Sequence, residues 1–134
     1  DVVETTLDKQ RCYKFCEENR LQIPRTWYEG ENTSDASVPL IMKPRFGSGS
    51  VGLVRITKSE NVPDTVPEDQ VLQECVAGDE YGMDVLNGLD TNFLHCAVRK
   101  KIEMRAGETD KAEFVYDDRL FDLGMTVSRS FNHV

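Results

Sequence analysis

Several features that mark specialised protein classes are missing from this sequence of 134 residues. No apolar run approaches the roughly 20 residues that a membrane-spanning helix needs, so we expect no membrane partner. Basic residues are outnumbered, with 16 Lys and Arg against 24 Asp and Glu, and the net charge of -8 argues against a nucleic-acid partner. Residues 1–4, Asp-Val-Val-Glu, lack the basic and apolar regions that open a signal peptide.

The four cysteines and two histidines form no recognisable metal or disulfide pattern. No Cys-x-x-Cys pair is present, and neither His95 nor His133 is spaced to complete a zinc site with the cysteines. We therefore interpret the cysteines as reduced thiols, the histidines as structural residues and the protein as cytoplasmic. No Ser–His–Asp or Cys–His combination stands out, so the sequence indicates no nucleophilic catalytic residue.

The hydrophobic pattern predicts an α+β fold dominated by antiparallel strands, in a chain long enough for one modest core. A first helix opens at Thr5 or Thr6, which caps it. A last helix covers residues 117–131, with its apolar face formed by Leu120, Leu123, Val127 and Phe131. The predicted strands cover residues 40–43, 51–56, 71–76, 81–86 and 93–98, and residues 99–105 extend the last one.

The most informative stretch joins an apolar strand, a lysine and a glycine-rich segment. Lys43 ends the strand, and the glycine loop, defined here as residues 47–52 (Gly-Ser-Gly-Ser-Val-Gly), leads into a second strand. Such a loop lets backbone N–H groups close over a phosphate, while the lysine supplies a positive charge. The alternative is a solvated lysine before an ordinary hairpin turn. Because the lysine precedes the loop and a strand follows it, neither a Walker A motif nor a dinucleotide fingerprint fits.

Two acids mark a second region of interest. Glu74 lies inside an apolar strand, and a buried carboxylate needs a partner, which an adenine amino group or an arginine of the same protein would supply. Glu80 follows a glycine turn, where it either accepts hydrogen bonds from two ribose hydroxyls or is simply solvated.

Taken in chain order, these segments resemble the ATP-grasp superfamily. The matching segments are Asp8-Lys9 at a helix start, Pro24-Arg-Thr26, Leu40-Ile-Met-Lys-Pro44, the glycine loop and Leu72-Gln-Glu-Cys-Val-Ala-Gly-Asp-Glu80. Residues 98–108 resemble the branch that contains the carbamoyl-phosphate synthase large subunit. The resemblance implies the ATP-grasp nucleotide-binding subdomain, an antiparallel sheet with helices, plus part of the second grasp lobe.

The resemblance also assigns roles by position. Lys9 and Lys43 match cations that contact the nucleotide phosphates. The loop that folds over the β- and γ-phosphates is matched by Gly47, Ser48, Gly49, Ser50 and Gly52. Glu74 matches the acid that contacts adenine, Val76 the residue whose backbone reads the adenine ring, and Glu80 the ribose-binding acid. Basic residues near the transferred phosphate or the acceptor are matched by Arg99, Lys101 and Arg105, for which a merely solvated basic face is the alternative.

The implied activity is that of an ATP-dependent carboxylate–amine or carbamoyl-phosphate-synthase-like ligase, which forms an acyl-phosphate intermediate on a small-molecule substrate. We divide the chain into an N-terminal helical segment (1–20), a lid subdomain (21–80) and an incomplete second lobe (81–134). The family's Mg²⁺ ligands, an acid and a Glu-x-Asn arrangement, have no match, so we expect them outside this chain.

We interpret the chain as a portion of a longer enzyme that lacks turnover by itself, and expect exposed sheet edges to favour homo-oligomers. The alternative is a non-enzymatic α+β interaction module, in which the glycine loop is only a hairpin turn and a basic face docks an acidic partner.

Overall fold

The computed structural model describes residues 2–131 and has an α+β architecture with antiparallel sheets, as the sequence predicted. The elements within these residues are α1 (Val2–Leu7), α2 (Lys9–Glu18), β1 (Thr26–Tyr28), β2 (Leu40–Pro44), β3 (Val54–Ile56), a 3₁₀ turn (Ser59–Asn61), β4 (Gln70–Glu74), β5 (Tyr81–Asn87), β6 (Phe93–Arg105), β7 (Glu108–Phe114) and α3 (Asp118–Phe131). The chain divides into two compact units, Val3–Ala77 and Gly78–Val134, called the first and the second unit below. His133 lies outside the described residues.

A four-stranded antiparallel sheet organises the first unit, with the strand order β1-β4-β2-β3. Strands β2 and β3 form the predicted hairpin around the glycine loop, with Met42 opposite Val54. Strand β4 lies between β1 and β2, and its Leu72 is opposite both Trp27 and Met42. Strand β3 begins three residues later than predicted, because turns continue through residue 52.

One face of this sheet carries the hydrophobic core of the first unit. The buried core residues are Trp27, Leu40, Ile56, Val66 and Leu72. Met42 packs against the same cluster. Because neighbouring side chains of a strand point to opposite faces, Lys43 and Gln73 lie on the other face. The apolar core thus fixes the strands that carry these two polar side chains.

Helix α2 begins at Lys9, and the prediction that Thr5 or Thr6 caps it was wrong. The N-cap is Asp8, whose carboxylate accepts hydrogen bonds from the backbone N–H groups of Gln10 and Arg11 at 3.0 and 3.3 Å. Asp is a stronger N-cap than Thr, and the two threonines lie within the separate helix α1.

The second unit contains a three-stranded antiparallel sheet with the order β5-β6-β7. The predicted pairing of β5 with β6 is confirmed, and so is the extension of β6 as far as Arg105. Strand β7 was not predicted. Its seven residues are all exposed and lack the apolar alternation that marks a half-buried strand.

Helix α3 packs on this sheet with a face slightly different from the predicted one. Its buried residues are Gly124 and Ser128, whereas Leu123 is 39% exposed. A Cβ atom at Gly124 would lie 2.5 Å from Cys96 Sγ, so the helix and β6 approach more closely than a larger residue would permit. Of the helices in residues 2–131, none has the length and apolar character required to cross a membrane.

Candidate functional site

Lys43 reaches from the sheet of the first unit to helix α2. Its ammonium group donates hydrogen bonds to the Tyr13 hydroxyl and to Gln73 Oε1, both at 2.8 Å. Gln73 is buried, and its Nε2 donates to Thr26 Oγ1 at 2.9 Å, which directs its Oε1 towards the lysine. Both acceptors of Lys43 are neutral oxygens. The network therefore fixes the position of the ammonium group without neutralising its charge.

Lys9, the first residue of α2, contacts the glycine loop. Its ammonium group donates to the carbonyl oxygen of Gly47 at 2.7 Å, which is again a neutral acceptor. Burial lowers the pKa of Lys9, and the positive charge of Lys43 lowers it further. The two ammonium groups are thus close enough to repel each other. A bound polyanion would relieve this repulsion, so the arrangement favours a ligand with several negative charges.

A bidentate ion pair lies directly beside these lysines. Arg45 Nε and Nη2 donate to Asp8 Oδ1 and Oδ2 at 2.8 and 2.6 Å. These hydrogen bonds are the main reason why the pKa of the Asp8 carboxyl lies below its ordinary value. The sequence analysis missed the pair. An acid immediately before a helix is an N-cap signal that could have drawn attention to Asp8, but nothing local identifies Arg45 as its partner.

The glycine loop turns sharply between β2 and β3. Four of its residues, Gly47, Gly49, Ser50 and Gly52, have φ angles between +59° and +97°. At Gly52 a Cβ atom would lie 2.9 Å from the ring of Pro44. This position therefore requires glycine both for its positive φ angle and for its close contact with the proline. Ser48 lies in the same turn, and its side chain is exposed. The loop therefore offers exposed backbone next to Lys9.

The residues predicted to contact adenine, Glu74 and Val76, lie at and beyond the C-terminal end of β4. Glu74 is the last residue of that strand and its side chain is exposed, so the expectation of an acid buried inside the strand was wrong. The buried run of β4 ends one residue earlier, at Gln73. Val76 lies beyond the strand and is 65% exposed. The register pairs Lys43 with Val71, which places Glu74 about 10 Å further along the sheet.

The remaining candidate residues belong to the second unit. There the Lys101 ammonium group pairs with Glu80, and Arg99 pairs with Asp84 at 2.6 Å. A cavity of about 260 Å³ is lined by Gly82, Arg99, Lys101, Glu108, Thr109 and Ala112. Arg105 lies outside this cavity, with its side chain 80% exposed and 3.7 Å from Asp110.

The described residues do not fit a complete magnesium site. Within residues 2–131, no group of three His, Cys, Asp or Glu side chains is arranged to hold a metal ion. Asp117, near the start of α3, instead accepts hydrogen bonds from the backbone and the guanidinium of Arg119. This pairing lowers the pKa of Asp117 to about 2.

Comparison with known proteins identifies the family of this chain. The model of the ATP-grasp domain family matches residues 6–133. The chain belongs to the ATP-grasp family. No curated protein matches it by sequence.

Solved structures share the fold of this ATP-grasp chain. N5-carboxyaminoimidazole ribonucleotide synthetase from Thermotoga maritima superposes with a TM-score of 0.69 at 17% identity, over 99% of this chain and 37% of that one. VanG D-Ala:D-Ser ligase from Enterococcus faecalis gives 0.68 at 14% identity, over 96% and 46%. An L-amino acid ligase from Bacillus licheniformis gives 0.63 at 19% identity, over 93% and 34%. The chain thus spans less than half the length of each of these enzymes.

Proposed function

We propose that this chain is the ATP-binding portion of an ATP-dependent ligase of the carboxylate–amine type, in the branch that resembles carbamoyl-phosphate synthase. The observation that carries the proposal is the pair of lysines beside the glycine loop. Within residues 2–131, the ammonium groups of Lys9 and Lys43 donate to neutral oxygens and pair with no carboxylate. Two such charges next to exposed loop backbone suit a triphosphate, whose oxygens accept from both kinds of donor.

In the proposed reaction, a carboxylate or bicarbonate oxygen attacks the γ-phosphorus, the bond to the β,γ-bridging oxygen breaks and ADP leaves. An amine then attacks the carbonyl carbon of the acyl-phosphate, and phosphate leaves. Phosphoryl transfer depends mainly on positioning and charge stabilisation. Lysines and backbone N–H groups supply both, which explains how such a site functions without a nucleophilic side chain.

The other predicted residues take part as follows in this proposal. Glu74 contacts the adenine amino group, and the backbone of Val76 reads the ring. Within residues 2–131 the backbone of Val76 makes no hydrogen bond, so its N–H and carbonyl are available to a ligand. Glu80 binds the ribose hydroxyls.

The basic residues of β6 serve the acceptor side of the proposed reaction. Arg99 and Lys101, which share a cavity, bind the transferred phosphate or the acceptor, and Arg105 assists them. Magnesium would reach the site with ATP, and we propose that its protein ligands lie outside this chain. By itself, the chain then binds ATP without turning it over.

Isothermal titration with Mg-ATP, combined with an ATPase assay, tests the proposal. We expect saturable binding without hydrolysis above the buffer rate. Lys43→Ala should weaken binding about tenfold or more, because a charge-assisted contact is lost. The matched control is Lys100→Ala, which removes a lysine paired with Asp79 and should leave the affinity within about twofold.

Three results would contradict the proposal. If the wild type fails to bind ATP, the chain is not a nucleotide-binding portion, and the interaction module becomes the better explanation. If both lysine variants lose the same affinity, the effect is one of general charge rather than of the site. Robust turnover by this chain would show that its own residues suffice for metal binding.

A further inference from the structure

We infer that Asp8 and Arg45 are positioning residues for the triphosphate end of the site, because they hold Lys9, Lys43 and the glycine loop in one arrangement. The inference rests on the proposed function, since it takes the two lysines to bind phosphate. Neither member of the pair needs to touch the nucleotide for this role.

On the helix side, Asp8 fixes the backbone from which Lys9 projects. Its carboxylate accepts four hydrogen bonds, two from the first turn of α2 and two from the Arg45 guanidinium. The residue is only 3% exposed. Oδ1 accepts three of these hydrogen bonds and Oδ2 accepts the fourth, while the Arg11 Nε atom lies 3.5 Å from Oδ2, so protein groups hold both oxygens of the carboxylate.

On the strand side, Arg45 connects three separate segments of the first unit. It follows Lys43 by two residues and precedes Gly47 by two. Its backbone N–H donates to the Asp69 carbonyl at 2.8 Å, and its own carbonyl accepts from the backbone N–H of Lys9 at 3.1 Å. The guanidinium lies 5.3 Å from the centre of the Phe46 ring. A shift of Arg45 would therefore move the start of the loop and the start of α2 together.

The pair also has an electrostatic consequence for Lys9. Asp8 is the sequence neighbour of Lys9. Its negative charge is balanced by the planar guanidinium of Arg45, which binds both carboxylate oxygens. Without the Arg45 guanidinium, the carboxylate would keep the more distant and more exposed Arg11, 3.5 Å from Oδ2, as an ion-pair partner, and more of its negative charge would act on the neighbouring phosphate-binding cation. Arg45 thus keeps the charge of Lys9 available to the ligand.

The test compares ATP with AMP as ligands of the 134-residue chain, because AMP lacks the β- and γ-phosphates. Affinities are measured by two-dimensional NMR titration for the wild type, Arg45→Gln, Arg45→Lys and Asp8→Asn. We expect Arg45→Gln and Asp8→Asn to weaken ATP binding about tenfold and to leave AMP binding within about twofold. Arg45→Lys should recover only part of the loss, since an ammonium group cannot reproduce the bidentate contact.

Two controls separate positioning from folding. Arg25→Gln removes an arginine of the same unit that pairs with Asp35 at an exposed position, and should change neither affinity. Asn is as good an N-cap as Asp, so Asp8→Asn keeps the helix start. If Arg45→Gln does not fold, the double variant with Asp8→Asn removes the buried carboxylate charge that Arg45 no longer balances, and it is expected to fold with the same selective loss of ATP affinity.

The outcomes distinguish this inference from the proposed function. Unchanged ATP affinity in Arg45→Gln or Asp8→Asn overturns the positioning role and leaves the proposed function intact. An equal loss of ATP and AMP affinity also overturns it, because the pair would then support the whole unit rather than the phosphate end. A wild-type chain that binds no ATP overturns the proposed function, and the inference falls with it.

Discussion

In the first unit, the ammonium groups of Lys9 and Lys43 donate to a carbonyl, a hydroxyl and an amide oxygen, whereas in the second unit Arg99 and Lys101 each face a carboxylate. A cation held by neutral acceptors is fixed in position and still attracts an anion. A cation held by a carboxylate must first exchange one anion for another. This difference explains how a chain of net charge -8 can keep the positive charges of Lys9 and Lys43 available to an anion such as the proposed triphosphate.

The two units also differ in how their side chains are buried. The first unit contains Leu40, Val71 and Leu72, none of which has any exposed surface. Among the residues that the structure describes, the buried apolar side chains of the second unit are Cys96 and Val98, each 4% exposed. A rigid core behind β2 and β4 keeps the lysine network in place, so stability and binding should be linked in the first unit.

The largest effect that we predict concerns this core. Leu72→Ala should destabilise the first unit by about 3 kcal/mol, because a fully buried leucine leaves a cavity. Hydrogen exchange of the β2 and β4 amides would measure the loss. The control Leu89→Ala removes a leucine that is almost fully exposed and should change little. A loss below about 1 kcal/mol for Leu72→Ala would show that the core adapts and that the comparison of burial is misleading.

A smaller effect is expected from Asp8→Asn, about 2 kcal/mol at neutral pH, because a largely buried ion pair is broken. The pKa of Asp8 is lowered below its ordinary value of 3.8 by Arg45. Its stabilising contribution is therefore complete above that value and is lost as the pH falls through the lower, folded-state pKa. Denaturant unfolding at pH 7 and below pH 3 should show the difference between wild type and variant shrinking in acid. An undiminished difference in acid would assign the effect to packing.

The third prediction concerns a variant in which Lys43 of the first unit faces a carboxylate, as Lys101 does in the second unit. Gln73→Glu places a carboxylate against Lys43 and should weaken ATP binding about tenfold although the lysine remains. Calorimetry measures the affinity. Gln70→Glu is the matched control, because it adds the same charge to β4 on the opposite face. Equal losses in the two variants would mean that neutral acceptors are not what distinguishes the site.

The smallest effect comes from the reverse change in the second unit. Asp84→Asn releases Arg99 from its carboxylate, and we expect the cavity beside Arg99 to bind inorganic phosphate about threefold more tightly. The shifts of the β6 amides report the titration. Asp79→Asn, which releases Lys100 on the other face of β6, should not affect this cavity. A weaker phosphate affinity in Asp84→Asn would indicate that Asp84 orients the arginine productively.

The sequence predicts the fold best where apolar residues recur regularly. The β2–β3 and β5–β6 hairpins and helix α3 have this pattern, so their existence follows from local residues. Strand β7 has no such pattern, since it is an exposed edge that is held by pairing with β6. The exposure of Glu74 could not be predicted either, because it depends on where β4 leaves the sheet.

For the candidate site, the sequence predicts individual residues but not their partners. Lys43 and the glycine loop are adjacent in the chain and recognisable together. Tyr13 is 30 residues from Lys43, and Asp8 is 37 from Arg45, so these contacts arise only when α2 packs on the sheet. Whether a lysine faces a neutral oxygen or a carboxylate is thus a property of tertiary structure, and here it separates the two candidate groups.

The close approach of α3 to β6 has a consequence for kinetics. Cys96 Sγ lies directly beneath Gly124, whereas the other three cysteines of the chain are only partly buried. Because Cys96 is 4% exposed, we expect a thiol reagent to reach it mainly while the helix is lifted from the strand. The alkylation rate of Cys96, relative to that of the other thiols, should therefore report how often α3 detaches from β6. The close contact at Gly124 thus makes Cys96 a probe of local opening in the second unit.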